Sequence, residues 1–149
     1  MTEIRLLGET WKTGWSIYIP YEINHDFFLA IQFKIKDSML DLERLRIAGP
    51  DYGPGWTLEG ERLDKYINDC DYFQDNLDTI IQIIPLPKNM GEGDDWYMEG
   101  FIGNSKTDNS VEGENRQVSK KDIVLLLGLL KKKAQEAKEK GIPLCFSGD

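Results

Sequence analysis

The chain has 149 residues, which is the length of one domain rather than two. Its 18 Lys and Arg residues against 26 Asp and Glu residues leave a net charge of −8, which disfavours a nucleic-acid binder because phosphate binding needs a basic surface. An apolar share of 40%, with four Trp, six Tyr and six Phe, excludes a disordered chain, and the longest apolar run, residues 123–130, is too short to cross a bilayer.

Alternating apolar residues predict strands in the N-terminal third. Residues 15–19 alternate and end before a proline, which supplies no ladder donor. Residues 27–36 alternate more cleanly, so they are the predicted base of the sheet, and residues 42–47 return beside them as an antiparallel hairpin. The glycines and prolines of residues 49–55 predict a loop, and residues 56–58 follow as a further short strand.

An amphipathic helix is predicted after residue 60. Its apolar side chains recur at three- and four-residue steps on one face, at Leu63, Tyr66, Ile67, Cys70, Phe73 and Leu77. We place Asp69, Asp71 and Asp75 on the opposite, solvent-facing side. Residues 79–84 are rich in β-branched side chains and end at a proline, which favours a buried strand, although the helical pattern can also continue through them.

The clearest helix lies near the C-terminus. Ser119 is a predicted N-cap, and Asp122 stands three residues later in the acidic position of a capping box. An apolar stripe follows, formed by Ile123, Leu126, Leu127, Leu130, Ala134 and Ala137. Gly141 and Pro143 end the helix.

Two more strands and one polar loop complete the predicted elements. The strands are residues 96–102 and 144–146, and the polar residues 103–118 predict an exposed, mobile loop. Because strand patterns precede one strongly apolar helix, the sequence predicts an α+β fold. We expect a single domain, residues 1–149, with a mainly antiparallel sheet packed against the long C-terminal helix and the second amphipathic helix.

Residue types for nucleophilic catalysis are scarce. Such catalysis needs a base beside the nucleophile, and His25 is the single histidine. We interpret His25 as a turn residue, and Cys70 and Cys145 as core thiols, because both thiols have apolar neighbours. The adjacent carboxylates Asp94 and Asp95 would point to opposite faces of a strand and could not share a substrate. We therefore predict no catalytic residue and no cofactor.

Metal binding is disfavoured as well. One histidine and two isolated cysteines cannot complete a closed zinc site. The acids between Asp69 and Asp78 offer oxygen ligands, but Gln74 and Ile80 stand where an EF-hand loop counted from Asp69 needs Gly and Glu. The three lysines of residues 131–133 lack aromatic neighbours and are interpreted as a solvated face rather than a nucleic-acid patch. No metal and no nucleic acid is predicted to bind.

Acidic residues are concentrated in the middle of the chain. Residues 51–114 contain 15 acids and four bases, a net charge of −11, whereas residues 1–50 hold seven acids and six bases and residues 115–149 hold four acids and eight bases. Acids steer a basic partner, and Tyr and Trp supply affinity. The predicted partner-binding residues are Asp69, Asp71, Tyr72, Asp75, Asp78, Glu92, Asp94, Asp95, Trp96 and Tyr97.

This combination of features resembles a known functional type. The acidic run from Asp69 to Asp78 and the run Glu92-Gly93-Asp94-Asp95-Trp96-Tyr97, in a short chain without catalytic groups, resemble bacterial immunity proteins. These proteins neutralise basic toxin domains, often nucleases. The resemblance implies a non-catalytic inhibitor whose acidic face mimics phosphate charge and covers the active site of a toxin.

Two other functional classes stay open at this point. A small enzyme would use carboxylates in a pocket, and the pKa values of some of them would be raised. An adaptor domain would expose an apolar patch on its sheet. The two cysteines form no disulfide framework and residues 1–9 lack a signal-peptide pattern, so we expect a cytoplasmic protein without a membrane partner.

Overall fold

The computed structural model describes residues 2–9, 14–19, 27, 28, 30, 56–87 and 118–148. The helices and strands in this part of the chain are β1 (Thr2–Leu6), β2 (Ile17–Ile19), β3 (Trp56–Leu58), α1 (Glu61–Asp75), α2 (Leu77–Ile83), α3 (Lys120–Lys140) and β4 (Leu144–Gly148). The predicted strands at residues 42–47 and 96–102, the loop at 49–55 and His25 lie outside the described residues.

The four described strands form one antiparallel sheet in the order β2-β1-β4-β3. Ile4 at the centre of β1 pairs with Ile17 on one side and with Phe146 on the other. Leu58 of β3 pairs with Leu144, so both ends of the chain lie in the middle of the sheet. The predicted α+β fold, with an antiparallel sheet packed against a long C-terminal helix and a second amphipathic helix, is confirmed.

The predicted base of the sheet at residues 27–36 is wrong where the structure describes it. Phe27, Phe28 and Ala30 are helical rather than extended. Phe27 and Phe28 are both buried, and their ring centroids lie 6.0 Å and 5.3 Å from that of Phe73 on α1. Neighbouring residues of a strand point to opposite faces, so a strand could not bring both rings to Phe73.

The strand predicted at residues 79–84 is also wrong, because residues 79–83 belong to α2 and Ile84 directly follows that helix. Leu77, Ile80 and Ile84 are buried at helical spacing, whereas Ile83 is half exposed. Tertiary packing of that stripe outweighs the β propensity of the isoleucines. Asn76 separates α1 from α2, and its side-chain amide donates to the carbonyl of Tyr72 at 2.8 Å.

Helix α3 begins and ends as the sequence predicts. The Ser119 hydroxyl accepts a hydrogen bond from the Asp122 backbone N–H at 3.2 Å, and the Asp122 carboxylate accepts one from the Ser119 N–H at 2.8 Å. Gly141, at a φ of 65°, closes the helix in the left-handed conformation that favours glycine. The apolar stripe is buried against α1 and the sheet. Val118 is buried too, contrary to the exposure predicted for residues 103–118, whose other members lie outside the described residues.

Candidate partner-binding surface

Five of the ten predicted partner-binding residues lie in the described part of the chain, on α1 and α2. The side chains of Asp71 and Asp78 are 46% and 73% exposed, and Asp75 is exposed as well. Tyr72 is half-buried and packs against the core. The three exposed aspartates follow one another at intervals of four and three residues along the chain. We refer to Asp71, Asp75 and Asp78 as the acidic edge.

Asp69 does not belong to this surface. Its expected place on the solvent-facing side is wrong, because only 4% of the residue is exposed. Helix α1 packs against α3, and its Tyr66 ring contacts Phe146 of β4, so its buried arc is wide enough to include Asp69 between Tyr66 and Phe73. The other five predicted residues, Glu92, Asp94, Asp95, Trp96 and Tyr97, lie outside the described residues.

Lysines of α3 pair with carboxylates along one side of α1 and α2. The pairs are Lys138–Asp64 at 2.5 Å, Lys131–Asp71 at 2.6 Å, and Lys120–Asp78. As the lysines descend from 138 to 131 to 120 along α3, their partners ascend from Asp64 to Asp71 on α1 and to Asp78 on α2, which shows that α3 runs antiparallel to α1. All three pairs are accessible to solvent, so each contributes about 0–1 kcal/mol to stability.

Asp75 differs from its two neighbours on the acidic edge. It is exposed, and within the described part of the chain it forms no ion pair. It is the last residue of α1, whose last turn contains no basic residue, although helices favour cations at that end. Asp71 precedes it by four residues, a spacing at which like charges destabilise a helix by about 0.2–0.5 kcal/mol. The fold therefore gains nothing from a carboxylate at this position.

A groove of about 750 Å³ lies between α1 and α3, beyond the acidic edge. It is lined by Asp64, Ile67, Asn68, Gln135, Lys138 and Glu139. The Lys138–Asp64 ion pair lies in this lining. The ionisable groups of this lining are the carboxylates of Asp64 and Glu139 and the ammonium group of Lys138, and no lining residue carries a thiol, a hydroxyl or an imidazole.

A buried charge cluster, formed by Glu9, Trp15, Lys133 and Glu136, joins the N-terminal segment to α3. The ammonium group of Lys133 donates to Glu9 Oε2 at 2.8 Å, lies 3.8 Å from Glu136 Oε1, and lies 4.3 Å from the centre of the Trp15 ring. The Trp15 indole N–H donates to Glu136 Oε2 at 2.8 Å. The Lys133 side chain is 0% exposed, so the interpretation of residues 131–133 as a solvated face is wrong for Lys133.

Electrostatic interactions hold Glu136 of this cluster in its charged form. Burial acts to raise the pKa of Glu136, but the hydrogen bonds from Lys140 and Trp15 and the charge of Lys133 outweigh burial and lower it below its usual value. A lysine that is paired, stacked and inaccessible to solvent cannot meet a substrate. We conclude that the buried charge cluster is a structural tie between distant parts of the chain.

Two thiols and one tyrosine are also poor candidates for catalysis, namely Cys70 and Tyr66 of α1 and Cys145 of β4. Cys70 is fully buried, and burial together with the nearby Asp69 carboxylate raises its pKa far above the usual range. The Tyr66 hydroxyl is buried and has no hydrogen-bond partner among the residues that the structure describes, and burial raises its pKa as well. Cys145 is half-buried in β4 and carries no disulfide. A raised pKa disfavours the deprotonated, nucleophilic form, so the Cys70 thiol and the Tyr66 hydroxyl are less reactive than exposed groups.

Among the residues that the structure describes, no group of three or more His, Cys, Asp or Glu side chains is arranged to hold a metal ion. None of the described helices is both long and apolar enough to span a membrane. Comparison of the chain with protein-family models, with curated proteins and with solved structures finds no match.

Proposed function

We propose that this protein is a non-catalytic binding protein that engages a basic protein partner through the acidic edge. The proposal rests on one observation, the exposure and the position of Asp75. Its carboxylate is exposed, unpaired among the described residues and placed where the helix favours a cation. Residues that break a local rule without a structural benefit are those in which a functional role is expected.

The electrostatics of the surface support association more than tight binding. Exposed acids steer an oppositely charged partner and raise its association rate, and added salt screens this effect. Affinity requires a desolvated anchor, for which the half-buried Tyr72 is the described candidate. Trp96 and Tyr97 are the further candidates that the sequence suggests. The proposed interface therefore combines the acidic edge with neighbouring aromatic residues.

Within this class, we propose a bacterial immunity protein that occludes the active site of a basic toxin domain, such as a nuclease, in the cytoplasm. Substrate phosphates and the acidic edge would compete for the same basic residues of the toxin, so inhibition would need no chemistry from this chain. Two free cysteines suit a reducing compartment. The resemblance in the acidic runs of the sequence supports the same function.

Co-expression tests this function. Immunity proteins are expected to be encoded next to their toxins, so the C-terminal domain of the preceding gene product is expressed alone and together with this protein. We expect the domain to arrest growth and the co-expressed protein to restore it. Asp75→Lys should reduce the protection. Glu139→Lys, which makes the same charge change at an exposed site on α3, is the matched control and should protect fully. A neighbouring domain without toxicity, or toxicity without protection, would refute the immunity function.

A further inference from the structure

We infer that the buried charge cluster is a site of self-modification, in which Lys133 and Glu9 condense to an isopeptide bond with Glu136 as the proton acceptor. The bond joins the Lys133 Nζ atom to the Glu9 carboxyl carbon and releases one molecule of water. It turns the electrostatic tie between the N-terminal segment and α3 into a covalent one. The reaction takes place within one chain, so it does not depend on the proposed function.

The fold holds the two reacting groups in contact. Lys133 Nζ donates to Glu9 Oε2 at 2.8 Å. Because a carbon–oxygen bond is about 1.2 Å long, the nitrogen lies within about 4 Å of the Glu9 carboxyl carbon. Reacting atoms that are held about 3–3.5 Å apart are in a near-attack arrangement, and such intramolecular reactions are strongly accelerated. The two side chains therefore need only a small movement to react.

Solvent is excluded from the pair, which favours condensation. The Lys133 side chain is 0% exposed and that of Glu9 is 12% exposed. The Trp15 ring covers the ammonium group, whose nitrogen lies 4.3 Å from the ring centre. Buried charges carry a desolvation penalty, which an amide does not carry because it is neutral. Condensation removes two buried charges and releases the product water to the solvent, so the site shifts the equilibrium toward the amide.

The backbone around Glu9 orients its carboxylate. The Leu6 N–H donates to Glu9 Oε2 at 3.2 Å. A Cβ at Gly14 would lie 2.5–2.7 Å from the carboxyl carbon and both oxygens, and such similar distances place it over one face of the planar group. The absence of a side chain at Gly14 thus lets the backbone cover that face, and the amine attacks from the other.

The step balances without a co-reactant. Lys133 first gives one proton to Glu9 across their hydrogen bond, which leaves a neutral amine and a neutral carboxylic acid. The amine attacks the carboxyl carbon, and the Glu136 carboxylate, whose Oε1 lies 3.8 Å from Nζ, takes the proton that the nitrogen then loses. Glu136 passes this proton to the departing hydroxyl group, which leaves as water. The amide has formed, and Glu136 is charged again.

The reaction is slow compared with folding. Trp15 and the two carboxylates favour the charged ammonium group, whereas only the neutral amine is a nucleophile. Freshly folded protein therefore contains the ion pair, and the isopeptide bond accumulates afterwards. Because the two residues are 124 positions apart, the bond closes a long loop and restricts the unfolded chain.

Mass spectrometry of the full chain tests the inference. The denatured protein is measured directly after purification and again after several days at growth temperature, and fragmentation of a proteolytic digest locates any lost water. We expect the mass of most chains to fall by that of one water molecule, and the digest to contain a peptide pair in which Glu9 is joined to Lys133. An unchanged mass, or water lost at any other position, would overturn the inference.

Three variants test the assigned roles, and circular dichroism checks that each of them folds. Lys133→Met should keep its full mass, whereas Lys132→Met, the matched control at the exposed neighbouring position, should lose water as the unaltered chain does. Glu136→Gln keeps both reacting groups but cannot accept the proton, so its joined fraction should grow at least about 100-fold more slowly. Water lost from Lys133→Met, or equal rates for Glu136→Gln and the unaltered chain, would contradict the proposed reaction.

Discussion

Replacement of Lys133 by Met should destabilise the protein strongly. The substitution keeps most of the apolar volume but removes an ammonium group that is completely buried, 2.8 Å from Glu9 and 3.8 Å from Glu136. Removing one partner of a buried ion pair typically costs about 3–5 kcal/mol, because the other charge stays buried. The Glu9 and Glu136 side chains keep 12% and 21% exposure, so partial hydration places the expected loss near the lower limit, at about 3 kcal/mol.

The loss is measured as the free energy of unfolding in urea, with the slope of the transition as a check on two-state behaviour. A loss of about 3 kcal/mol corresponds to a fall in Tm of roughly 6–12 °C for a chain of this size. Glu9→Gln in the Lys133→Met background removes the orphaned carboxylate and should restore part of the stability. A loss below about 1 kcal/mol, or a double variant less stable than Lys133→Met alone, would show that the buried charge cluster is not an energetic tie.

Three further predictions concern substitutions at or near buried side chains. Gly14→Ala should destabilise the protein, because a Cβ there would lie 2.5–2.7 Å from the Glu9 carboxylate group, and urea unfolding should show a smaller cost in the Lys133→Met background, where Glu9 is free to move. Glu136→Gln should lower the free energy of unfolding, and this cost should be largest at neutral pH. Since the folded-state pKa of Glu136 lies below its usual value of 4.5, this cost should shrink as the pH falls through the folded-state pKa, and a cost independent of pH would contradict it. Tyr66→Phe should raise the unfolding free energy by about 1 kcal/mol, because it removes a buried hydroxyl that has no partner in the described part of the chain. A loss of stability would reveal a partner for that hydroxyl.

Helices α1 and α3 could be predicted because local signals agree with tertiary packing. The capping box at Ser119 and the glycine at the end of α3 are local, and the apolar stripes of both helices have an unambiguous period. Residues 79–84 and 27–36 misled the prediction for opposite reasons. In the first segment the β propensity of isoleucine conflicts with the helical spacing of the buried positions. In the second segment, apolar residues alternate as they would in a strand, but two neighbouring phenylalanine rings pack together against Phe73.

The net charge of the surface could be predicted from the sequence, but its ion pairs could not. The excess of acids in residues 51–114 is visible in the sequence, whereas the ion pairs of Asp71 and Asp78 with α3 depend on how two distant helices pack. The sequence does hold one signal for the burial of Lys133. It lies three residues after Leu130 and four before Ala137, within the apolar stripe of α3. Its partner Glu9, 124 residues away, has no comparable signal.

The association rate of Asp75→Lys with the proposed partner, a basic toxin domain encoded next to this protein, tests the proposed role of the acidic edge most directly. Stopped-flow fluorescence compares it with Glu139→Lys, the charge-matched control, at low and at high salt. We predict that Asp75→Lys slows association roughly tenfold at low salt and far less at high salt, while its unfolding free energy is unchanged or slightly higher, because a lysine suits the end of α1. Equal association rates for Asp75→Lys and Glu139→Lys at low salt would contradict a role for the acidic edge in partner binding.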